Sequence, residues 1–419
     1  MTIKNRVINR EIEQQLFSKN NKILILLWPR QIGKTTIMKY FFNVLVEKQE
    51  QAIFVDMDIY EQYEKISSYE KCINFLQLHG YNQSLSQYFY VFLDEFQKYE
   101  DFTIILKNLY DHHPNIKIIA SGSSSLTIKN TIQETLAGRK RIINVFPLNF
   151  EEFLLFKGEI ALLENVKNIQ KLQGSGLYDT LSQYYILLEE FMIFGGYPAV
   201  VLEPDVQEKQ KILGDIFDLF IKKDLWEYLK LEKVRIVSDI LKYLAVNNGN
   251  KIKCDEIAKT SHVSLHTVKN YLQILKELFI LVELKPYFTN KNLELVKIPK
   301  YYFIDSGVRN YFIKNFIALE LRQDKGNLFE WFFIGELLKK GVNAELIKYR
   351  NDKNQREVDV IIDNIEHLQA YELKYKKNLN SEDLNGVKAF EKMYTADLKV
   401  VNLDVQGKRD WRSFVLPFL

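Results

Sequence analysis

The stretch Leu27-Trp28-Pro29-Arg30-Gln31-Ile32-Gly33-Lys34-Thr35-Thr36 narrows most what this chain can fold into. It joins a short apolar run, Lys22 to Leu27, to a segment of helical periodicity, Thr35 to Lys48, marked by Ile37, Met38, Phe41, Phe42 and Leu45. Strand, loop, helix is the setting of a phosphate-binding loop, in which backbone N–H groups and a helix N-terminus converge on an anion. Lys34 is expected to reach the outer phosphates of ATP and Thr35 to ligate Mg²⁺. Pro29, Arg30, Gln31, Ile32, Gly33 and Thr36 complete the expected cradle. Trp28 stands where the loop's first glycine is usual. Its bulk is expected to tune nucleotide affinity rather than cancel it, because Gly33, Lys34 and Thr35 carry most of the contacts.

Two more strand ends suit the same chemistry. Tyr88 to Leu93 reads as a buried strand ending in Asp94-Glu95. There Asp94 is expected to order the metal and Glu95 to polarise an attacking water. Lys117 to Ala120 reads as a third strand, followed by Ser121-Gly122-Ser123-Ser124-Ser125. In a parallel sheet the carboxyl ends of the strands share one rim where ligands bind, so Ser121 is the expected polar sensor of the γ-phosphate. Arg139, ahead of a strand at Ile142 to Phe146, is a candidate for stabilising transition-state charge, in cis or across a subunit boundary. Taken singly, each of these is also an ordinary strand end or surface residue; coupling to the loop at Lys34 selects the functional reading.

At 419 residues the chain exceeds what one core usually serves, and its 47% hydrophobic content suffices for two to four cores. Cys72 and Cys254, without metal-like spacing, support neither a disulfide framework nor a cysteine zinc site. The longest early apolar run, Ile23 to Trp28, is far too short to span a bilayer, so a cytoplasmic protein without membrane association is expected. The formal net charge is +3, from 57 basic and 54 acidic residues, so a nucleic-acid partner must rest on local patches.

After Phe150 the pattern turns helical, through Asn149 to Lys157, Leu181 to Ile193 and Val206 to Leu229, and a lid is expected over 151–230. Lys222 and Lys223 are either phosphate contacts of that lid or a solvated helix end. Residues 231–303 read as a winged helix-turn-helix: a helix at Asp255 to Lys259, a turn, then a helix capped by Ser264 with Val268, Leu272, Leu275 and Leu278 as its apolar stripe. His266, Thr267, Lys269 and Asn270 lie off that stripe, near the end that would enter a major groove. The wing, Leu281 to Phe303, offers Lys285, Lys291, Lys297 and Lys300 to the phosphates of DNA or RNA. A module used only for packing has the same pattern.

Residues 304–419 carry a second candidate chemistry. The expected order is a helix (Leu328 to Lys340), strands at Ala344 to Arg350, Glu357 to Ile362 and His367 to Tyr375, a helix (Ser381 to Met393) and a strand (Leu398 to Leu403). Asp359 alternates with Val358 and Val360, while Glu372 and Lys374, two apart, share a face, so the three can meet at one rim. Two carboxylates would bind Mg²⁺ and a lysine would position or deprotonate water for attack on a phosphodiester. This constellation resembles the PD-(D/E)XK nuclease core, with Glu330 as the extra carboxylate on the opening helix. Glu330 is preferred to Glu336 because Phe333, Ile334 and Leu337 place it on the apolar face. An ion pair between Glu372 and Lys374 in a domain without this chemistry would look the same.

Taken together, Trp28 to Thr36, Phe92 to Gln97, Ser121 to Ser125, Leu136 to Arg139, Phe146 to Phe153, Gly195-Gly196-Tyr197-Pro198, Lys222-Lys223-Asp224 and Ile304-Asp305-Ser306-Gly307 resemble the prokaryotic AAA-type P-loop ATPases whose C-terminal half is a domain of unknown function. That family usually opens its loop with Gly-Pro-Arg, from which Trp28 departs. The resemblance implies hydrolysis of ATP. The expected fold class is α/β: a parallel-sheet P-loop ATPase core over 1–150, a helical lid over 151–230, a winged helix-turn-helix over 231–303 and a restriction-endonuclease-like α/β domain over 304–419. The expected function is an ATP-dependent switch with an effector acting on nucleic acid, as a monomer or homo-oligomer. The alternative is a nucleotide-controlled signalling or scaffolding protein whose nuclease-like domain is inert.

Overall fold

Five short apolar runs of the first third pair as one parallel sheet: β1 (Ile23–Trp28), β2 (Gln51–Asp56), β3 (Phe89–Asp94), β4 (Ile116–Ser123) and β5 (Lys140–Asn144), in the order β2-β3-β4-β1-β5. Every residue of β3 is buried, as a parallel strand covered on both faces requires. On one face Ile25, Leu27, Val55, Val91, Leu93 and Ile118 pack with Leu106 and Leu109 of the helix Phe102–His112. On the other, Phe42 of the helix Lys34–Glu47 meets Phe54 and Phe92 edge to face. β4 is inserted between β1 and β3, and the register pairs Ser121 with Leu26 and Ala120 with Leu93. Ser121 therefore belongs to the strand rather than to a following loop, and lies between the phosphate loop and Asp94.

The computed structural model describes residues 6–28, 31–99, 101–123, 132, 134–171, 174–219, 231–352, 354, 356–364, 367–403 and 413–415. Pro29, Arg30, Ser124, Ser125, Lys222 and Lys223, and the side chain of Trp28, lie outside the described residues. The chain divides into two units, Met1–Phe146 with Glu277–Phe279, and Pro147–Lys276 with Ile280–Leu419. Among the described residues no helix is long and apolar enough to cross a membrane.

The second unit opens with helices, among them Phe150–Lys157, Gly174–Phe194 and Val206–Leu219, followed by Leu231–Val246, Cys254–Thr260 and Leu265–Glu277. Two of the motifs noted in the sequence meet here. Asp305 caps the helix Ser306–Ile313 by accepting the Val308 N–H at 3.2 Å, and also accepts the Gly196 N–H at 2.7 Å. A Cβ on Gly307 would lie 2.0 Å from the Phe194 carbonyl oxygen, so only glycine allows this approach.

One sheet then runs through the rest of the unit. It comprises β6 (Leu281–Pro286), β7 (Lys300–Phe303), β8 (Ile347–Asn351), β9 (Glu357–Asp363), β10 (Leu368–Lys374), β11 (Asp397–Asn402) and β12 (Ser413–Val415), in the order β12-β11-β10-β9-β8-β6-β7. β6 and β7 pair antiparallel, with a helix, Lys291–Val296, in their connection. On its other edge β6 pairs in parallel with β8, Lys285 opposite Lys348 and Pro286 opposite Tyr349. The sheet therefore crosses the boundary expected at 303/304. The helix expected at Leu328 to Lys340 spans Lys325–Lys339, and that expected at Ser381 to Met393 shortens to Asn385–Glu391 after a 3₁₀ turn.

Candidate nucleotide site and C-terminal carboxylate cluster

Parallel pairing brings Lys34, Thr35, Asp94, Glu95 and Ser121 to one rim of the first sheet. Lys34 opens its helix with Gly33 as N-cap, and Gly33 has φ +87°, a backbone that favours glycine although no atom of the described residues would lie within 4 Å of a Cβ there. The need for glycine here is therefore conformational. Among the described residues no side chain caps this helix N-terminus, so its first N–H groups face the loop. Ile32 is buried, while Gln31, with φ 63°, and Thr36 are exposed.

The side chains form one connected set. The Thr35 hydroxyl donates to Asp94 Oδ2 at 2.7 Å, and the buried Ser121 hydroxyl donates to Asp94 Oδ1. Ser121 Oγ in turn accepts the Glu95 N–H at 3.2 Å. The Lys34 ammonium is paired with Glu95 Oε1, and Gln97 Nε2 donates to Glu95 Oε2. Glu95 adopts a left-handed backbone, φ 55°, at a cost of about 1–2 kcal/mol for a residue other than glycine. Such outliers gather where function over-determines the geometry.

Two residues of this site were not anticipated. Arg6 donates from Nη1 to the Ile32 carbonyl at 3.1 Å and from Nη2 to the Phe146 carbonyl at 2.6 Å, tying the loop to the end of the sheet unit. Gln97 holds the second oxygen of Glu95. Gln97 follows Asp94-Glu95 closely in sequence and was legible as a neighbour; Arg6 left no local signal. Arg139 requires a correction. Its carbonyl accepts the Ile23 N–H at 2.9 Å, at the beginning of β1, whereas Lys34 follows the end of β1. That is the opposite edge of the sheet, about 17–20 Å away along a six-residue strand. There its guanidinium makes a bidentate pair with Asp111, at 2.7 and 3.0 Å, away from Lys34 of its own chain.

The C-terminal residues converge only in part. The antiparallel register of β9 and β10 sets Tyr371 against Val360, and Asp359 Oδ2 accepts the Leu373 N–H at 2.8 Å. The Lys374 ammonium lies 2.6 Å from Glu372 Oε1 and 3.5 Å from Asp359 Oδ2. Burial, with Asp359 adding to it, holds Glu372 well above the usual carboxylate range, whereas Asp359 and Glu372 raise Lys374 against the effect of its burial. Glu330 does not join this pair as a free ligand. Its Oε1 accepts from Lys300 Nζ at 2.9 Å and from the Tyr302 hydroxyl. Among the described residues no group of three acidic, histidine or cysteine side chains is placed to hold a metal, and Glu330 is engaged by Lys300 and Tyr302 rather than grouped with Asp359 and Glu372. Lys300 was expected at a wing surface, and burial overturns that reading. Lys291, also expected on phosphate, is paired with Glu294 and Asp363.

On the helix Leu265–Glu277, Val268, Tyr271, Leu272 and Leu275 are buried, and His266, Lys269 and Asn270 are exposed. Thr267 is half-buried; its N–H is accepted by Ser264 Oγ at 3.1 Å, the expected cap.

Residues 20–154 match the AAA domain family, and residues 186–319 and 325–417 match two domains of unknown function. The chain thus carries an AAA-type P-loop ATPase domain followed by two C-terminal domains of unknown function. An uncharacterized protein of Methanocaldococcus jannaschii is 28% identical over 96% of this chain and 85% of its own length. An uncharacterized protein of Haemophilus influenzae is 26% identical over 83% of this chain and 82% of its own. Among solved structures, a Walker-type ATPase of Pyrococcus abyssi aligns with 73% of this chain and 94% of that chain at 19% identity, with a TM-score of 0.47.

Proposed function

We propose that the chain is a cytoplasmic ATP-hydrolysing switch in which nucleotide at Lys34, Thr35, Asp94 and Glu95 governs what the C-terminal half contacts. The observation that carries this reading is the connected set from Thr35 through Asp94 and Ser121 to Glu95 and Lys34. Thr35 and Asp94 fit Mg²⁺, since a hydroxyl and a carboxylate oxygen already stand 2.7 Å apart at the loop. When bound, the ion would neutralise charge on the outer phosphates. Lys34 leaves Glu95 for the phosphate oxygens, which frees Glu95 to take the proton of the attacking water. Water forms the new P–O bond to the γ-phosphorus, the β–γ bridging bond breaks, and ADP and phosphate leave. Ser121 reports the γ-phosphate side of the site to Asp94 and to the Glu95 backbone.

The test is ATP affinity and phosphate release for wild type, Lys34→Ala and Trp28→Gly. Lys34→Ala is expected to reduce turnover at least about 100-fold, the scale of losing a transition-state donor. Trp28→Gly is expected to bind ATP more tightly and still hydrolyse it. A wild-type chain that binds no ATP ends the proposal.

The helices Leu231–Val246, Cys254–Thr260 and Leu265–Glu277 with the β6–β7 hairpin support a winged-helix reading, with His266, Lys269 and Asn270 as the face offered to DNA or RNA. The run from the helix Lys325–Lys339 through β8, β9 and β10 to the helix Asn385–Glu391 and β11 supports a nuclease-like reading of the last segment. The Lys300–Glu330 pair favours a second reading, in which this segment does not cleave and the chain is a nucleotide-controlled signalling or scaffolding protein. Cleavage of labelled DNA and RNA with Mg²⁺ or Mn²⁺ separates the two, comparing wild type with Asp359→Ala and Lys374→Ala. Equal cleavage in all three removes the nuclease.

A further inference from the structure

The C-terminal cluster contains more charge than the expected catalytic set. Four carboxylates, Glu330, Glu357, Asp359 and Glu372, are interleaved with two ammonium groups. Lys374 serves Glu372 and Asp359. Lys300 enters from β7, the strand that ends the wing hairpin, with its side chain only 6% exposed. Its Nζ lies 2.9 Å from Glu330 Oε1 and 2.8 Å from Glu357 Oε1, and Asp359 is near enough to act on it electrostatically. The ring of Tyr349 stands 5.1 Å from the same ammonium. β7 thus delivers a cation to Glu330, one of the three carboxylates that a nuclease-like site would keep for a metal, and to Glu357 beside it.

We infer that Lys300 is the resident cation at the Glu330 and Glu357 side of this cluster, as Lys374 is at the Glu372 and Asp359 side, and that Lys300 excludes divalent metal from it. The reasoning is electrostatic and geometric. Mg²⁺ and Mn²⁺ need several carboxylate oxygens whose lone pairs are not already taken. An ammonium offers three donors; here it donates to Glu330 Oε1 and stands 2.8 Å from Glu357 Oε1 as an ion pair without a hydrogen bond, its own side chain nearly fully buried. A dication bound to the remaining oxygens would stand beside a like charge where screening by water is weak. Backbone position reinforces the arrangement: Lys300 is opposite Leu284 of β6 and also bridges Lys251, so it is fixed on both sides. A surface lysine could swing away to make room for a metal; this one is held.

This inference rests on the nuclease-like reading only for its choice of probe, and it is tested apart from the nucleotide site. Mn²⁺ is titrated into the nucleotide-free full chain, for wild type, Lys300→Met, Asp359→Asn and Lys300→Met/Asp359→Asn. A parallel Thr35→Ala chain removes any ion at the phosphate loop from the count. Wild type is expected to show no Asp359-dependent site. Lys300→Met is expected to gain one at least tenfold tighter than any wild-type binding, with a matching Mn²⁺-dependent rise in Tm, and the added Asp359→Asn is expected to abolish both. Where Lys300→Met alone does not fold, Lys300→Met/Glu330→Gln removes both halves of the buried pair, keeps Glu357, Asp359 and Glu372, and is expected to gain the same binding. Asp359-dependent Mn²⁺ binding by wild type, or no gain in a folded Lys300 variant, overturns the inference. Failure of ATP binding leaves this result untouched, and the converse holds equally.

Discussion

Lys34 and Glu95, proposed above to hold phosphate and to activate water, hold each other, with Gln97 on the second carboxylate oxygen. Under the proposed function ATP must displace Glu95 from Lys34, so the residue proposed to serve hydrolysis would oppose binding. Glu95→Gln should therefore separate the two effects. Affinity for ATP is expected to rise about 3- to 10-fold, equivalent to about 0.6–1.4 kcal/mol. Phosphate release is expected to fall roughly 10²- to 10⁴-fold, the usual contribution of a general base. Titration with a fluorescent ATP analogue and steady-state phosphate release check the pair; a loss in both would make Glu95 a structural residue instead. Lys34, Thr35, Asp94 and Ser121 were legible in sequence because each ends or follows a strand, and parallel strands deliver their carboxyl ends to one rim. The left-handed backbone of Glu95 and the reach of Arg6 to Ile32 and Phe146 were not, since local spacing does not encode a partner 26 or 140 residues away. Arg139 shows the reverse case: a residue of suitable type on the wrong edge.

At the scale of elements, the helix Lys325–Lys339 is the least legible part of the second unit. Its buried residues, from Leu328 through Glu336 and Leu338, run around the helix rather than along a stripe, so choosing one apolar face cannot rank its acids. Both Glu330 and Glu336 are buried, each with its own partner. Glu336 Oε1 accepts the Phe150 N–H at 3.0 Å, at the start of a helix already closed by the Asn149–Glu152 capping box. Complete burial pushes the Glu336 carboxyl up to about 7, with Lys339 and Lys340 pulling the other way. Below the ordinary value of 4.5 the group is protonated in folded and unfolded chains alike, and the favourable contribution is fully present. Between there and about 7 the unfolded chain releases its proton first, so stability falls as pH rises, by up to about 3 kcal/mol. Glu336→Gln keeps an acceptor for Phe150 and has no charge to bury. It is expected to raise Tm above pH 7 and to flatten the loss between pH 5 and 7 in a melting series. A variant that melts lower than wild type at every pH would show that the carboxylate is favoured by Lys339 and Lys340 more than burial disfavours it.

At the scale of the whole molecule, charge limits how nucleic acid can be bound. The chain has 57 basic and 54 acidic residues, and the structure takes two of the lysines expected to meet phosphates out of the count: Lys300 is buried on Glu330 and Glu357, and Lys291 is paired with Glu294 and Asp363. The pairing of β6 with β8 adds a second restriction, since one edge of the hairpin is already used. What remains on the candidate face is Lys269 with His266 and Asn270, together with exposed Lys297 and half-buried Lys285. Three lysines neutralise about three phosphates, so the logarithm of affinity should fall with the logarithm of salt at a slope near −3 on duplex DNA. Lys269→Ala is expected to reduce that slope by about 1 without changing sequence preference. Anisotropy of labelled duplex and single strands across about 50–200 mM salt measures this. If the chain is a switch, affinity must differ between ADP and a slowly hydrolysed ATP analogue, because a nucleotide shifts only an equilibrium whose states it binds differently. A slope of about −6 or steeper would require phosphate contacts on another surface. The same affinity with both nucleotides would uncouple nucleic-acid binding from the ATPase site.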